Sequence, residues 1–252
     1  MPTLAVLILT KNEEQNITRC ISSVSFADEV IVVDSGSEDN TCKMAEALGA
    51  KVYHHDMADG GFAGQRNFAL ECTNADWVLC LDADEEITPA LATEIQQHIQ
   101  KEPQQVATIK RISVVMGQMM YHGVYRPDFS TRLYPRTKVR WEGLVHEHSI
   151  TDLPIIRLKA PMHHYCITSW DQYWVKFDRY TTMVAEKMYE KGKTTSGIVM
   201  QLHAIFAFIQ MYVLKLGFLD GSLGYTLCKN HYFYTLTKYE KLDKLWQVSE
   251  RD

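Results

Sequence analysis

The chain lacks low-complexity tracts, internal repeats at solenoid spacing and any Cys-x-x-Cys pair, and its 13 glycines and 7 prolines are scattered rather than gathered into a linker. These absences exclude disordered, collagen-like and solenoid organisation, and they remove the usual spacing signals of zinc ribbons and redox dithiols. The six cysteines read as reduced thiols of a cytosolic protein, with Cys20 and Cys80 in apolar patterns. The first residues carry no basic segment and no small-residue cleavage site, so a signal peptide is not expected. Excess charge is also missing: the net value is −5, and nucleic acid is not an expected partner.

What is present is 46% hydrophobic and 23% charged residues over 252 positions, enough for one large α/β domain, alone or with an appendage. The mild net charge hides an asymmetry. Residues 1–100 hold 5 Lys/Arg and 17 Asp/Glu, whereas residues 101–252 hold 21 and 14. The acidic half suits divalent cations, and the basic half suits an anionic acceptor or anionic lipid headgroups.

Hydrophobic patterning predicts β-strands over 3–9, 29–33, 51–54 and 77–81, short apolar runs of the kind buried in a parallel sheet. Helices are predicted between them. Ile17, Cys20, Ile21 and Val24 form one stripe; Ala45 and Leu48 lie on a helix ending at Gly49; Gly64-Gln65-Arg66-Asn67 opens another. Thr88-Pro89 caps a fourth, with Leu91, Ile95 and Ile99 as its apolar face. This βαβαβαβα order implies a doubly wound, mostly parallel α/β sheet, whose ligands bind at the carboxyl ends of the strands. The polar clusters Thr10-Lys11-Asn12-Glu13, Asp34-Ser35 and Asp82-Ala83-Asp84 fall at those ends.

Beyond residue 105 the pattern changes. Residues 106–115, 132–134 and 139–141 read as β segments, and from about Trp170 onward the chain reads as helical, with Tyr173, Phe177, Tyr180, Val184 and Met188 as an apolar stripe. Residues 198–219 are the most hydrophobic segment. Gln201, His203, Gln210 and Lys215 within it favour a helix buried against the domain, or one lying in a membrane interface, over a membrane span. The expected division is therefore 1–168 and a helical extension, 169–252.

Asp82 and Asp84, at i and i+2 on a strand end, point the same way and repel unless neutralised. A hard divalent cation does this and also bridges the phosphates of a nucleotide. Asp34 can accept hydrogen bonds from a base or a ribose hydroxyl. Arg66 can stack on a base or pair with a phosphate. Glu142 and Glu147, beside a sugar site, can act as general base on a hydroxyl. His146 and His148 have the chemistry of zinc ligands, but no cysteine or further histidine lies at tight ligand spacing; His163-His164 is distant.

These residues resemble a known family. The segments Leu9–Ile17, Val32–Ser37 and Leu81–Glu85 are similar to family 2 glycosyltransferases with the GT-A fold. Trp141-Glu142-Gly143, Val145-His146-Glu147, His164-Tyr165 and Gly217–Gly221 resemble the bacterial lipopolysaccharide and lipooligosaccharide inner-core β-1,4-glucosyltransferases. The resemblance implies a Rossmann-like GT-A domain and an inverting transfer of a hexose, glucose first, from a UDP-sugar. The acceptor would be a heptose of a lipid-linked core oligosaccharide. The enzyme would sit in the cytoplasm, in peripheral contact with the inner membrane. Thr10, Asn12, Glu13, Asp34, Ser35, Arg66, Asp82 and Ala83 would line the nucleotide-sugar. Asp82, Asp84 and His164 would serve Mg²⁺ or Mn²⁺, Asp84 most directly. Glu147 would be the base, with Glu142 its competitor, because Val-His-Glu stands where many relatives carry Glu-Asp. Three alternatives are a transferase for another surface polysaccharide, a sugar-phosphate nucleotidyltransferase, and a non-catalytic, membrane-docked sugar-nucleotide-binding protein. The absence of glycine from the loop after the first strand disfavours the nucleotidyltransferase.

Overall fold

In the computed structural model, residues 1–101, 104–143 and 147–249 are described. Four strands, β1 (Leu4–Thr10), β2 (Glu29–Asp34), β3 (Lys51–His54) and β4 (Trp77–Asp82), alternate with α1 (Ile17–Ser23), α2 (Thr41–Ala47) and α3 (Gly61–Glu71). They pair in parallel in the order β3-β2-β1-β4, with Thr10 opposite Asp34 and Leu9 opposite Asp82. This register brings all three polar clusters to one edge. The continuous apolar runs arise because β1 and β4 are covered on both faces: Val6, Ile8, Leu79 and Leu81 pack with Ile17, Cys20 and Ile21, while Leu7, Val78 and Cys80 pack with Ala63, Ala69 and Leu70.

The next elements extend the sheet. They are β5 (Glu85–Ile87), α4 (Pro89–Ile99), β6 (Val106–Val115), β7 (Gln118–Met119), β8 (Asp128–Pro135), β9 (Arg140–Glu142), β10 (His148–Ile150) and β11 (Ile155–Ile167). The sheet continues β4-β8-β6-β11-β5, with β8 antiparallel to both β4 and β6, and β9 pairs separately with β10. Helix α4 starts as predicted: the Thr88 hydroxyl accepts the Leu91 N–H, Pro89 follows, and Leu91, Ile95 and Ile99 are buried. The three-residue β5 is too short to show a period of two and was not anticipated.

Residues 1–112 and 128–165 form one compact unit, and residues 113–127 and 166–252 a second. The second unit thus takes in a segment from the middle of the first expected domain. The reason is its own core, in which Val115 and Met120 pack with Cys166, Ile167, Tyr173 and Leu227. Asp220 holds that segment in place by accepting the N–H groups of Tyr121 and His122 and pairing with the His122 ring at 2.9 Å.

The second unit also contains α5 (Trp170–Glu190), α6 (Gly197–Ile209) and α7 (Gly221–Ser249). The buried stripe of α5 is Tyr173, Thr181 and Ala185; Tyr180, expected inside, is half exposed. Helix α6 runs on through a π-helical turn, Gln210–Leu214. Burial of this segment is overturned: only 11% of Gly197–Leu214 is buried, and Ile198, Leu202, Ile205, Phe206, Ile209, Val213 and Leu214 are exposed. Toward α7, α6 turns small and polar residues and the half-buried ring of Phe208, which meets Tyr225 edge-on. Ala204 and Ala207 are its buried residues, and Gln201 and His203 bond to the hydroxyls of Tyr232 and Tyr239.

Candidate active site

The loops after β1 and β2 are stitched together at the sheet edge. Asn12, in the left-handed region (φ 55°), donates its N–H to Ser37 and accepts the Glu38 N–H on its side chain. The Glu13 N–H reaches the Thr41 hydroxyl, and the Ser35 N–H reaches the Thr10 carbonyl. Asp34 is fully buried and accepts hydrogen bonds from the Gly36 N–H and from the Ser37 N–H and hydroxyl. Burial alone would raise its pKa, but the Ser37 hydroxyl, with the two amides, holds it below the usual value. In this state Asp34 organises its own loop. The Thr10 hydroxyl is enclosed without a partner.

Each polar member of Gly64-Gln65-Arg66-Asn67 has a separate contact. Gln65 donates to the His55 carbonyl at 3.0 Å, and Arg66 donates to Asp82 at 2.9 Å. Asn67 clasps both backbone groups of Trp141, at 2.8 and 2.9 Å, and so ties β9 to α3. Gly64 is required, since a Cβ there would stand 2.1 Å from the Asp59 carbonyl oxygen.

Asp82 and Asp84 have different surroundings. Asp82 carries a guanidinium on each oxygen, Arg66 on Oδ1 at 2.9 Å and Arg132 on Oδ2 at 2.6 Å. Burial opposes its charge, yet Arg132 first and then Arg66 hold its pKa well below the carboxylate range. Asp82, expected to share a cation with Asp84, is here a partner of arginines. Ala83 is buried, with its N–H on the Leu9 carbonyl. Asp84 is partly open and faces His164, with Oδ2 and Nε2 3.2 Å apart.

No group of three or more His, Cys, Asp or Glu positioned for a metal occurs among the described residues. The pair Asp84–His164 nevertheless fits two positions of a cation's shell. For octahedral ligands at about 2.1 Å, adjacent donors stand about 3 Å apart. An oxygen and an imidazole nitrogen donor suit Mn²⁺ better than Mg²⁺, which prefers oxygen ligands, if substrate phosphate and water complete the shell.

Glu147 lies 4.0 Å from the Arg66 Nε and lines a cavity of about 300 Å³ with Arg66, Arg132, Tyr134, Trp141 and Ser149. Glu142 is exposed on β9 and does not line that cavity. His146, weighed as a zinc ligand, lies outside the described residues, and His148 is exposed. Residues that the sequence did not single out complete the site. Arg132 also bonds Glu85 at 2.6 Å, and Arg111 joins Glu85 at 3.2 Å and Asp128 at 2.7 Å. A clue was visible in Arg132, a single charge inside the strand-like pattern of residues 129–134.

The fold and site define an α/β GT-A enzyme, a parallel half-sheet with an acidic edge, extended by further strands beyond β4. The model of the glycosyl transferase family 2 matches residues 5–160, and the chain belongs to that family. An uncharacterized glycosyltransferase of Rickettsia bellii is 29% identical over 98% of this chain and 87% of its own length. The lipopolysaccharide core biosynthesis glycosyltransferase LpsC of Rhizobium meliloti is 26% identical over 86% and 82%. Among solved structures, S. aureus TarS 1-349 superimposes with a TM-score of 0.46 at 15% identity, covering 98% of this chain and 92% of that one. Glucosyl-3-phosphoglycerate synthase from Mycobacterium tuberculosis, in complex with Mn²⁺, UDP-glucose and phosphoglyceric acid, gives 0.41 at 22% identity, covering 54% and 57%.

Proposed function

We propose that this glycosyltransferase is a metal-dependent, inverting hexosyltransferase that moves glucose from UDP-glucose to a heptose of a lipid-linked lipopolysaccharide inner core, at the cytoplasmic face of the inner membrane. The observation that carries the metal-dependent reading is the Asp84–His164 pair, beside the Asp82 edge where the register of β1, β2 and β4 gathers the polar loops. The similarity to LpsC supports the acceptor class. The exposed apolar face of α6 supports membrane contact. Residues 191–219 there carry three lysines and no Asp or Glu, a balance that suits anionic headgroups.

In this mechanism Asp84 and His164 would hold the cation. When bound, it supplies Lewis-acid stabilisation of the charge that develops on the departing diphosphate. Glu147 takes the proton from the acceptor hydroxyl. The freed oxygen lone pair forms the new bond at the anomeric carbon while the carbon–oxygen bond to UDP breaks, so a single in-line displacement inverts the configuration. A positioned base contributes about 10²–10⁴ in rate. Arg66, between Asp82 and Glu147, orients both carboxylates.

The deciding experiment is calorimetric titration of UDP and UDP-glucose with and without Mn²⁺. Metal-dependent binding with a preference for UDP-glucose supports the reading. Binding of neither ligand to the folded protein favours another nucleotide or a non-catalytic, membrane-docked role.

A further inference from the structure

Seven side chains of the first unit form an unbroken chain of alternating charge: Asp128, Arg111, Glu85, Arg132, Asp82, Arg66 and Glu147. Strands β8, β6, β5 and β4, helix α3 and the segment before β10 supply them. Arg132 is the central member. Its Nη2 makes both 2.6 Å contacts, one to Asp82 and one to Glu85, so two carboxylates fix where the guanidinium points. Without Arg132, Asp82 would keep Oδ1 on Arg66 and release Oδ2, two residues before the cation-facing Asp84.

We propose that Arg132 is a positioning residue: it holds Asp82 on the arginines and away from the cation, and through Asp82 and Arg66 it sets the position of Glu147. The proposal rests on the metal-dependent reading above. Arg132→Met is the direct variant. Because it strands Glu85 in the interior, the double variant Glu85→Gln/Arg132→Met removes the buried charge with its partner. Arg132→Lys, which keeps the charge but not the fork, serves as the conservative control.

The measurements are Mn²⁺ affinity of the UDP-saturated protein by calorimetry, where substrate phosphate can complete the shell, and kcat and KM for UDP-glucose. The double variant is expected to bind Mn²⁺ about tenfold more tightly, because the freed Asp82 oxygen can join Asp84 as a donor, while kcat falls about a hundredfold as the support of Glu147 is lost. The KM for UDP-glucose is expected to move far less, and Arg132→Lys to lie between. A purely structural Arg132 would not tighten metal binding. Unchanged or weaker Mn²⁺ binding in a folded double variant overturns the proposal alone. Absence of Mn²⁺ binding by the unaltered protein overturns the metal reading, and this assignment with it.

Discussion

The proposed mechanism gives Asp84 and Glu147 separable tasks, so their variants should fail differently. Asp84→Asn removes one of the two donors facing the cation and should abolish Mn²⁺-dependent turnover with little change in far-ultraviolet circular dichroism. Full activity in that variant would remove Asp84 from the metal site. Glu147→Gln should lower kcat by about 10²–10⁴ while the Kd for UDP changes little, because only proton removal is lost. His98 supplies a pH-dependent test of the fold. Its ring lies edge-on to Trp77, with Nε2 enclosed and unpartnered. Burial, then Lys101, lowers its pKa below the ordinary value of 6.5. The unfolded chain therefore takes up a proton near pH 6.5 that the folded chain refuses until lower pH, so stability falls as pH drops through that window. Thermal melts at pH 7 and pH 5 should show a smaller loss for His98→Leu than for the unaltered protein.

At the scale of elements, α6 combines a small-residue seam against α7 with an exposed face of large apolar side chains. Its polar residues Gln201 and His203 are spent on α7 tyrosines, so they do not interrupt the apolar face. Isolated exposed hydrophobics are ordinary, but Ile198, Leu202, Phe206 and Ile209 form a contiguous stripe, the feature on which the proposed membrane contact rests. Replacing Ile198, Leu202 and Phe206 by Ser should cut co-sedimentation with phosphatidylglycerol vesicles by at least about a hundredfold, since each buried side chain of this size is worth about 1.5–3 kcal/mol. Replacing Lys191, Lys193 and Lys215 by Gln should weaken binding to those vesicles and leave neutral vesicles unaffected. Equal binding of all variants would exclude α6 as the contact.

For the whole molecule, the division into two units predicts where ligand binding is felt. UDP-glucose with Mn²⁺ at a hundred times its Kd should add about 2.7 kcal/mol of stability. Hydrogen exchange should slow at residues 10–13, 34–37 and 82–85 in the first unit. Residues 198–219 should exchange as before. Slowing confined to the second unit would move the nucleotide away from the acidic edge.

Local patterning was enough to determine the parallel half of this protein. The apolar runs of β1, β2 and β4, the Thr88-Pro89 cap and the polar clusters at strand ends are short-range signals, and the parallel register follows from burying both faces. They also brought Asp82, Asp84 and Arg66 forward as candidates, whereas the choice of Glu147 as base and of His164 for the cation came from the resemblance to family 2 glycosyltransferases. Only the tertiary structure separated Asp82 from Asp84, because what distinguishes two carboxylates two residues apart is which guanidiniums reach them. Arg132 arrives from β8, 50 residues away, and its own second acid, Glu85, sits on a strand too short to announce itself. The same holds for α6: its composition allowed a buried helix, and its exposure was decided by α7, which takes in two alanines, Phe208 and two polar side chains and leaves the other large side chains outside. Periodicity reports how a segment partitions between inside and outside, whereas pairing of charges and choice of packing partner depend on chain segments far apart in sequence.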